Sequence, residues 1–111
     1  MSTVYVVQDT MYKDSNGELK SRFDLSPAEE FGTLRRMLSQ SARPFESEHV
    51  IGQLHDELSL FSDDDYLLLI GNPCLIGFAV AIASDVNEGR VNVLQWNGKN
   101  KQYIAVQAKL K

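Results

Sequence analysis

Several groups of residues in this 111-residue chain have the types that chemistry needs, and their spacing decides what each can do. Asp14-Ser-Asn16-Gly-Glu18 begins like a calcium loop, in which alternate oxygen-bearing side chains converge on one ion. The pattern then fails, because Leu19 stands where the loop needs glycine and Leu25 where it needs a bidentate glutamate, so a solvated turn is expected. Asp63-Asp64-Asp65 offers three carboxylates, but successive side chains of an extended segment point to opposite faces and do not converge on Mg²⁺. His49 and His55, six residues apart on a helix, are rotated by about 240° and cannot share a metal. No metal and no cofactor is expected.

Gly71-Asn-Pro-Cys-Leu-Ile-Gly77 lies between an apolar strand pattern and a helix start, a junction whose amides can hold an anion. A phosphate loop needs Lys-Ser or Lys-Thr after its second glycine, whereas Phe78-Ala79 follow Gly77, and the dinucleotide-binding glycine spacing is also missing. What remains is a candidate nucleotide or anion site at Gly71, Asn72 and Cys74. First-turn position can lower a thiol pKa, yet no second Cys or neighbouring His accompanies Cys74, which reads as a small buried filler. A second candidate site is the cluster Arg90, Trp96, Lys99, Lys101 and Tyr103, whose aromatics and cations can stack bases or anchor a protein partner. If a helix covers that face, Trp96 and Tyr103 are core instead. No catalytic set is complete.

The elements that must position these residues follow from composition and period. With 43% hydrophobic and 23% charged residues, the chain suits one core and a single globular domain over 1–111. A net charge of −4 and no basic run longer than Arg35-Arg36 argue against a domain held on duplex phosphates by bulk charge. The lone Cys74 and the absence of a signal-peptide pattern point to a reducing cytoplasm. Tyr66 to Ala83 carries no charge and approaches the ~20 residues of a bilayer span. Gly71-Asn72-Pro73 interrupts it and acidic residues flank it, so a buried strand followed by a buried helix is expected and no membrane contact.

Val4 to Val7 reads as a first strand, and Asp9 to Lys20 as a hairpin about Asn16-Gly17 or a loop. Ser26-Pro-Ala-Glu29 has the form of a capping box and predicts a helix to about Ser39, with Phe31, Leu34 and Leu38 as its stripe. A second amphipathic helix begins near Ser47, a strand covers Tyr66–Ile70, and an apolar helix runs from Pro73 to about Val86, covered on most sides. Val91–Trp96 and Gln102–Leu110 make a hairpin about Asn97-Gly98. A two-residue turn puts Leu94, Trp96, Tyr103, Lys99 and Lys101 on one face; a longer loop through Lys101 would move Leu94 and Trp96 to join Ile104 and Val106. The fold class is α/β, with α+β as the alternative: a small mixed sheet of about four or five strands, three helices, a central βαβ unit and a C-terminal hairpin.

Phe23-Asp-Leu-Ser-Pro-Ala-Glu-Glu-Phe-Gly32, Phe61-Ser-Asp-Asp-Asp-Tyr-Leu-Leu-Leu-Ile-Gly71 and Gly89-Arg-Val-Asn-Val-Leu-Gln-Trp96, followed by Tyr103, resemble small tailed-bacteriophage proteins of unknown function. The resemblance implies a viral origin, the host bacterial cytoplasm and a role during infection, and it carries over no catalytic residue. The reading is a non-enzymatic factor that binds a host or phage protein. Single-stranded nucleic-acid binding by the hairpin face and nucleotide or anion binding after Gly71 are the alternatives.

Overall fold

Val4-Tyr5-Val6-Val7 sends alternate side chains to opposite faces, and all four are buried, as a strand needs when both its faces are covered. In the computed structural model, which describes residues 2–111, this run lies in β1 (Thr3–Gln8), inside a five-stranded sheet. Its neighbours β4 (Thr33–Leu38) and β5 (Tyr66–Leu68) both run parallel to it. Beyond β5, β6 (Arg90–Asn97) is again parallel, and β7 (Gln102–Lys109) forms the edge, antiparallel to β6. The order across the sheet is β4-β1-β5-β6-β7. The α/β class, the mixed sheet, the βαβ unit from β5 to β6 and the terminal hairpin are as expected.

Helices α1 (Ser47–Leu58) and α2 (Pro73–Val86) cover one face, closing Leu54, Leu58 and Leu75 over Tyr5, Val7, Leu67 and Val91. Asn72 caps α2, its side-chain oxygen accepting from the Cys74 N–H at 2.8 Å, with Pro73 following at the first helical position. On the other face a 3-10 helix (Ser26–Phe31) sets Leu25 and Ala28 against Val4, Val6, Leu68, Leu94 and Tyr103. The chain passes over this second face from β1 to β4, then over the helical face to β5 and β6 in the opposite direction. Reversing direction and face together keeps one hand throughout, as strand twist favours. No helix among the described residues is long and apolar enough to cross a membrane.

Four local expectations are corrected. The helix from Ser26 ends at Phe31, and Thr33–Leu38 is strand β4. Ser26 does not cap it; its hydroxyl donates to Asp24 at 2.7 Å. At Gly32 the backbone passes so close to Ser2 that a Cβ would lie 2.5 Å from its carbonyl oxygen, and the Thr33 N–H then donates to that oxygen at 3.1 Å. Pairing with β1 overrides the helical spacing of Leu34 and Leu38. Cys74 is exposed rather than a core filler, because the inward stripe of α2 is Leu75, Ala79, Ile82 and Ala83. That helix also shows solvent a strip of small residues, Cys74, Gly77 and Ala81, instead of being covered on most sides. Finally, Asn97 pairs with Gln102, leaving a four-residue loop through Lys101. Lengthening a two-residue turn by two residues preserves which side chains share a face, so Leu94 and Trp96 stay with Tyr103 and do not join Ile104 and Val106.

The segment Asp9 to Ser21 is a hairpin of β2 (Met11–Lys13) and β3 (Leu19–Ser21). Asp14 organises its turn, its Oδ1 accepting from the Asn16 and Glu18 amides at 2.9 and 3.0 Å. Buried Asp9 clamps the hairpin to the sheet: it accepts from the Ser21 hydroxyl at 2.6 Å and from Arg36 Nε of β4 at 2.9 Å.

Candidate functional site

In open parallel sheets, ligands lodge beyond the carboxyl ends of the strands, where neighbouring connections leave in opposite directions. Here that point falls between β1 and β5, and the chain fills it with its own side chain. Gln8, the buried last residue of β1, donates through Nε2 to the carbonyls of Ser39 and Ala42, both at 3.1 Å. Its Oε1 accepts from the Asn72 N–H at 3.0 Å. Gly71 makes room, with φ of +117° and no space for a Cβ, which would meet Gln8 Cβ at 2.5 Å. The candidate anion site at Gly71, Asn72 and Cys74 therefore has two amides engaged from within, Asn72 by Gln8 and Cys74 by Asn72.

A second crevice at the same end of the sheet, on the opposite face, is open. Its floor is Leu68, Ile70 and Leu94, its walls are Phe23, Trp96 and Tyr103, and its volume is about 380 Å³. Arg22, Asp24 and Gln95 supply the polar groups. The wall hangs from the Asp9 clamp: the Arg22 N–H donates to Thr10 O at 2.7 Å and the Phe23 N–H to Ser21 Oγ at 3.3 Å. Trp96 and Tyr103 are cross-strand partners, meeting edge to face with centroids 5.0 Å apart. Tyr103 is buried while Trp96 is 47% and Phe23 52% exposed. Burial pushes the Tyr103 phenol above its ordinary range, helped by the carboxylates of Asp24 and Asp9. The Asp24 carboxyl is held below its ordinary range by the Ser26 hydroxyl and amide.

Of the hairpin residues singled out from sequence, Trp96 and Tyr103 come together in this cleft. Lys99 and Lys101 lie in the loop above it rather than on the sheet face, and Lys101 adopts a left-handed φ of +51°. Arg90 begins the same strand, about 20 Å away at ~3.3 Å per residue, where its guanidinium pairs with Asp63 at 2.9 Å. It braces Asp63 and takes no part in the cleft.

The family model for the Phage Pam3 gp32-like protein matches residues 2–110. The chain belongs to this phage protein family. No curated protein and no solved structure matches it.

One feature of this gp32-like chain escapes a reading by motif. Arg22 and Phe23 follow a three-residue strand and belong to no period, so only the Asp9 clamp reveals them as a wall. Charge, by contrast, was legible in the sequence. All fifteen acidic residues precede position 89, against six basic ones, whereas positions 89–111 hold five basic and no acidic residue. A net −4 thus conceals a cationic hairpin on an anionic body. Among the described residues Lys99, Lys101 and Lys109 have no carboxylate partner, and Lys111 is paired with Asp85 at 3.1 Å.

Proposed function

We propose that this phage protein is a non-enzymatic interaction factor in the infected bacterial cytoplasm, and that its cleft takes an apolar side chain of a host or phage protein. The observation that carries the reading is a cleft with an apolar floor, of about 380 Å³, with two half-exposed aromatics at its mouth. Large rigid aromatics beside a pocket are what interface hot spots are made of, and burying them repays much of the ordering cost of association. The shifts of Asp24 and Tyr103 favour the ionised acid and the neutral phenol at neutral pH, so neither is poised for proton transfer there. The test is capture from phage-infected lysate with the wild-type chain beside a Phe23→Ala/Trp96→Ala double variant. A protein recovered by the first and lost by the second supports the cleft; identical recoveries by both would sink it.

Single-stranded nucleic acid is a second reading, supported by Lys99 beside Trp96 and Lys101 in the same loop, neither with a carboxylate partner among the described residues. Titration of the single tryptophan with an oligothymidylate at low salt should quench its emission, with an effect that fades as salt rises. No quenching would remove this reading.

A further inference from the structure

We infer that the β7 edge is a docking strand for an extended protein segment that is apolar at its centre and acidic at both ends. The inference rests on the protein-interaction reading but uses a different surface from the cleft. β7 is the last strand of the sheet and, among the described residues, pairs with β6 alone, so alternate residues along its eight offer backbone groups to a further strand. Ile104 and Val106, 46% and 41% exposed, stand on the face whose inner part α1 and α2 cover. An added strand would extend that face and bury both side chains against its own alternate residues.

Charge selects the occupant. Lys99 and Lys101 precede β7 and Lys109 ends it, none with a carboxylate partner among the described residues; Lys111, which follows, is held by Asp85 at 3.1 Å, and no acidic residue lies within the hairpin. Antiparallel pairing of β7 with a second copy would bring the lysines at the start of one strand against those at the end of the other, and like charges so placed disfavour it. A segment with Asp or Glu at both ends and Val or Ile between them meets complementary charge at each end and apolar side chains in the middle.

The test uses fluorescein-labelled peptides with a seven-residue Val/Thr alternation, flanked on each side by two Asp or by two Lys, with the full chain titrated against them. Fluorescence anisotropy should show at least tenfold tighter binding of the Asp-flanked peptide, with the preference shrinking as salt rises. N-methylation of alternate peptide residues should abolish binding in one parity and spare it in the other, the mark of strand pairing. Equal affinity for the two flanks, or no parity effect, overturns the proposal. So does sedimentation as a dimer that the Asp-flanked peptide leaves intact. Trp96→Ala should bind the peptide as the wild type does. Failure at the edge therefore leaves capture through the cleft standing, and loss of capture through the cleft leaves the edge standing.

Discussion

Two crevices open at the same end of the same sheet, and they meet opposite fates. Between β1 and β5, where an α/β fold ordinarily receives its ligand, Gln8 joins the loop after β4 to the loop after β5 through hydrogen bonds of 3.0 to 3.1 Å. Beside β6, on the other face, no side chain among the described residues forms such a plug, and aromatic rings stand half in water over an apolar floor. The difference is one of spent and unspent groups. Polar atoms satisfied within the chain give up a partner only at the cost of leaving another buried group bare. Exposed rings, and lysines with no carboxylate partner among the described residues, lose little by meeting something else. The unspent groups of this fold lie at the hairpin end of the sheet rather than at its topological switch point.

The sharpest way to break the comparison is Gln8→Ala. It strands the Ser39 and Ala42 carbonyls and the Asn72 amide, so stability should fall by about 3 kcal/mol, read from urea unfolding at constant m. A loss under about 1 kcal/mol would mean that water replaces the plug and that the switch point is a usable site. Asp9→Ala comes next. It removes the acceptor of Ser21 and Arg36, and a loss of about 2 kcal/mol is expected. Because the clamp hangs the Arg22–Asp24 wall, Trp96 emission should also shift to the red. An unshifted spectrum with the same loss would separate the wall from the clamp.

These dependencies show which parts of the molecule the sequence could disclose. The buried run at Val4–Val7, the central strand begun at Tyr66 and the Asn72-Pro73 helix start declared themselves, because period and capping are local signals, although the strand ends at Leu68 with Leu69 exposed rather than at Ile70. Thr33–Leu38 did not. Leu34 and Leu38 keep helical spacing, and only the approach of Gly32 to Ser2, thirty positions away, turns the segment into a strand. Gln8 gave no sign at all, since its partners lie in two distant loops. Trp96 and Tyr103 were visible as a pair, but Phe23, which completes the cleft, depends on a side-chain clamp that no local pattern encodes.

A smaller effect probes the cleft wall through pH. Tyr103 ionises in the unfolded chain near its ordinary value of 10.0 but resists ionisation in the fold, so its contribution to stability is intact below that value and lost as pH rises above it. Tyr103→Phe removes the titrating group. Melting scans at pH 8 and pH 10.5 should therefore fall less steeply for the variant than for the wild type, with Tyr5, also raised by burial, accounting for part of the remaining slope. Parallel slopes would place the Tyr103 hydroxyl in water and make the cleft shallower than its lining implies.

The smallest change expected in the fold is the most telling for the hairpin. Lys99 and Lys101 touch no carboxylate among the described residues, so Lys99→Ala/Lys101→Ala should leave the urea midpoint and the Trp96 spectrum where they were. The same variant should weaken the Asp-flanked peptide about threefold and flatten its salt dependence, while the parity pattern of N-methylation persists, since strand pairing is a backbone matter and the lysines act through charge. If the midpoint falls instead, the two lysines already serve the fold, and the division between spent and unspent groups no longer separates the two crevices. If the midpoint holds and the salt dependence holds with it, Lys109 at the far end of β7 sets the charge preference alone.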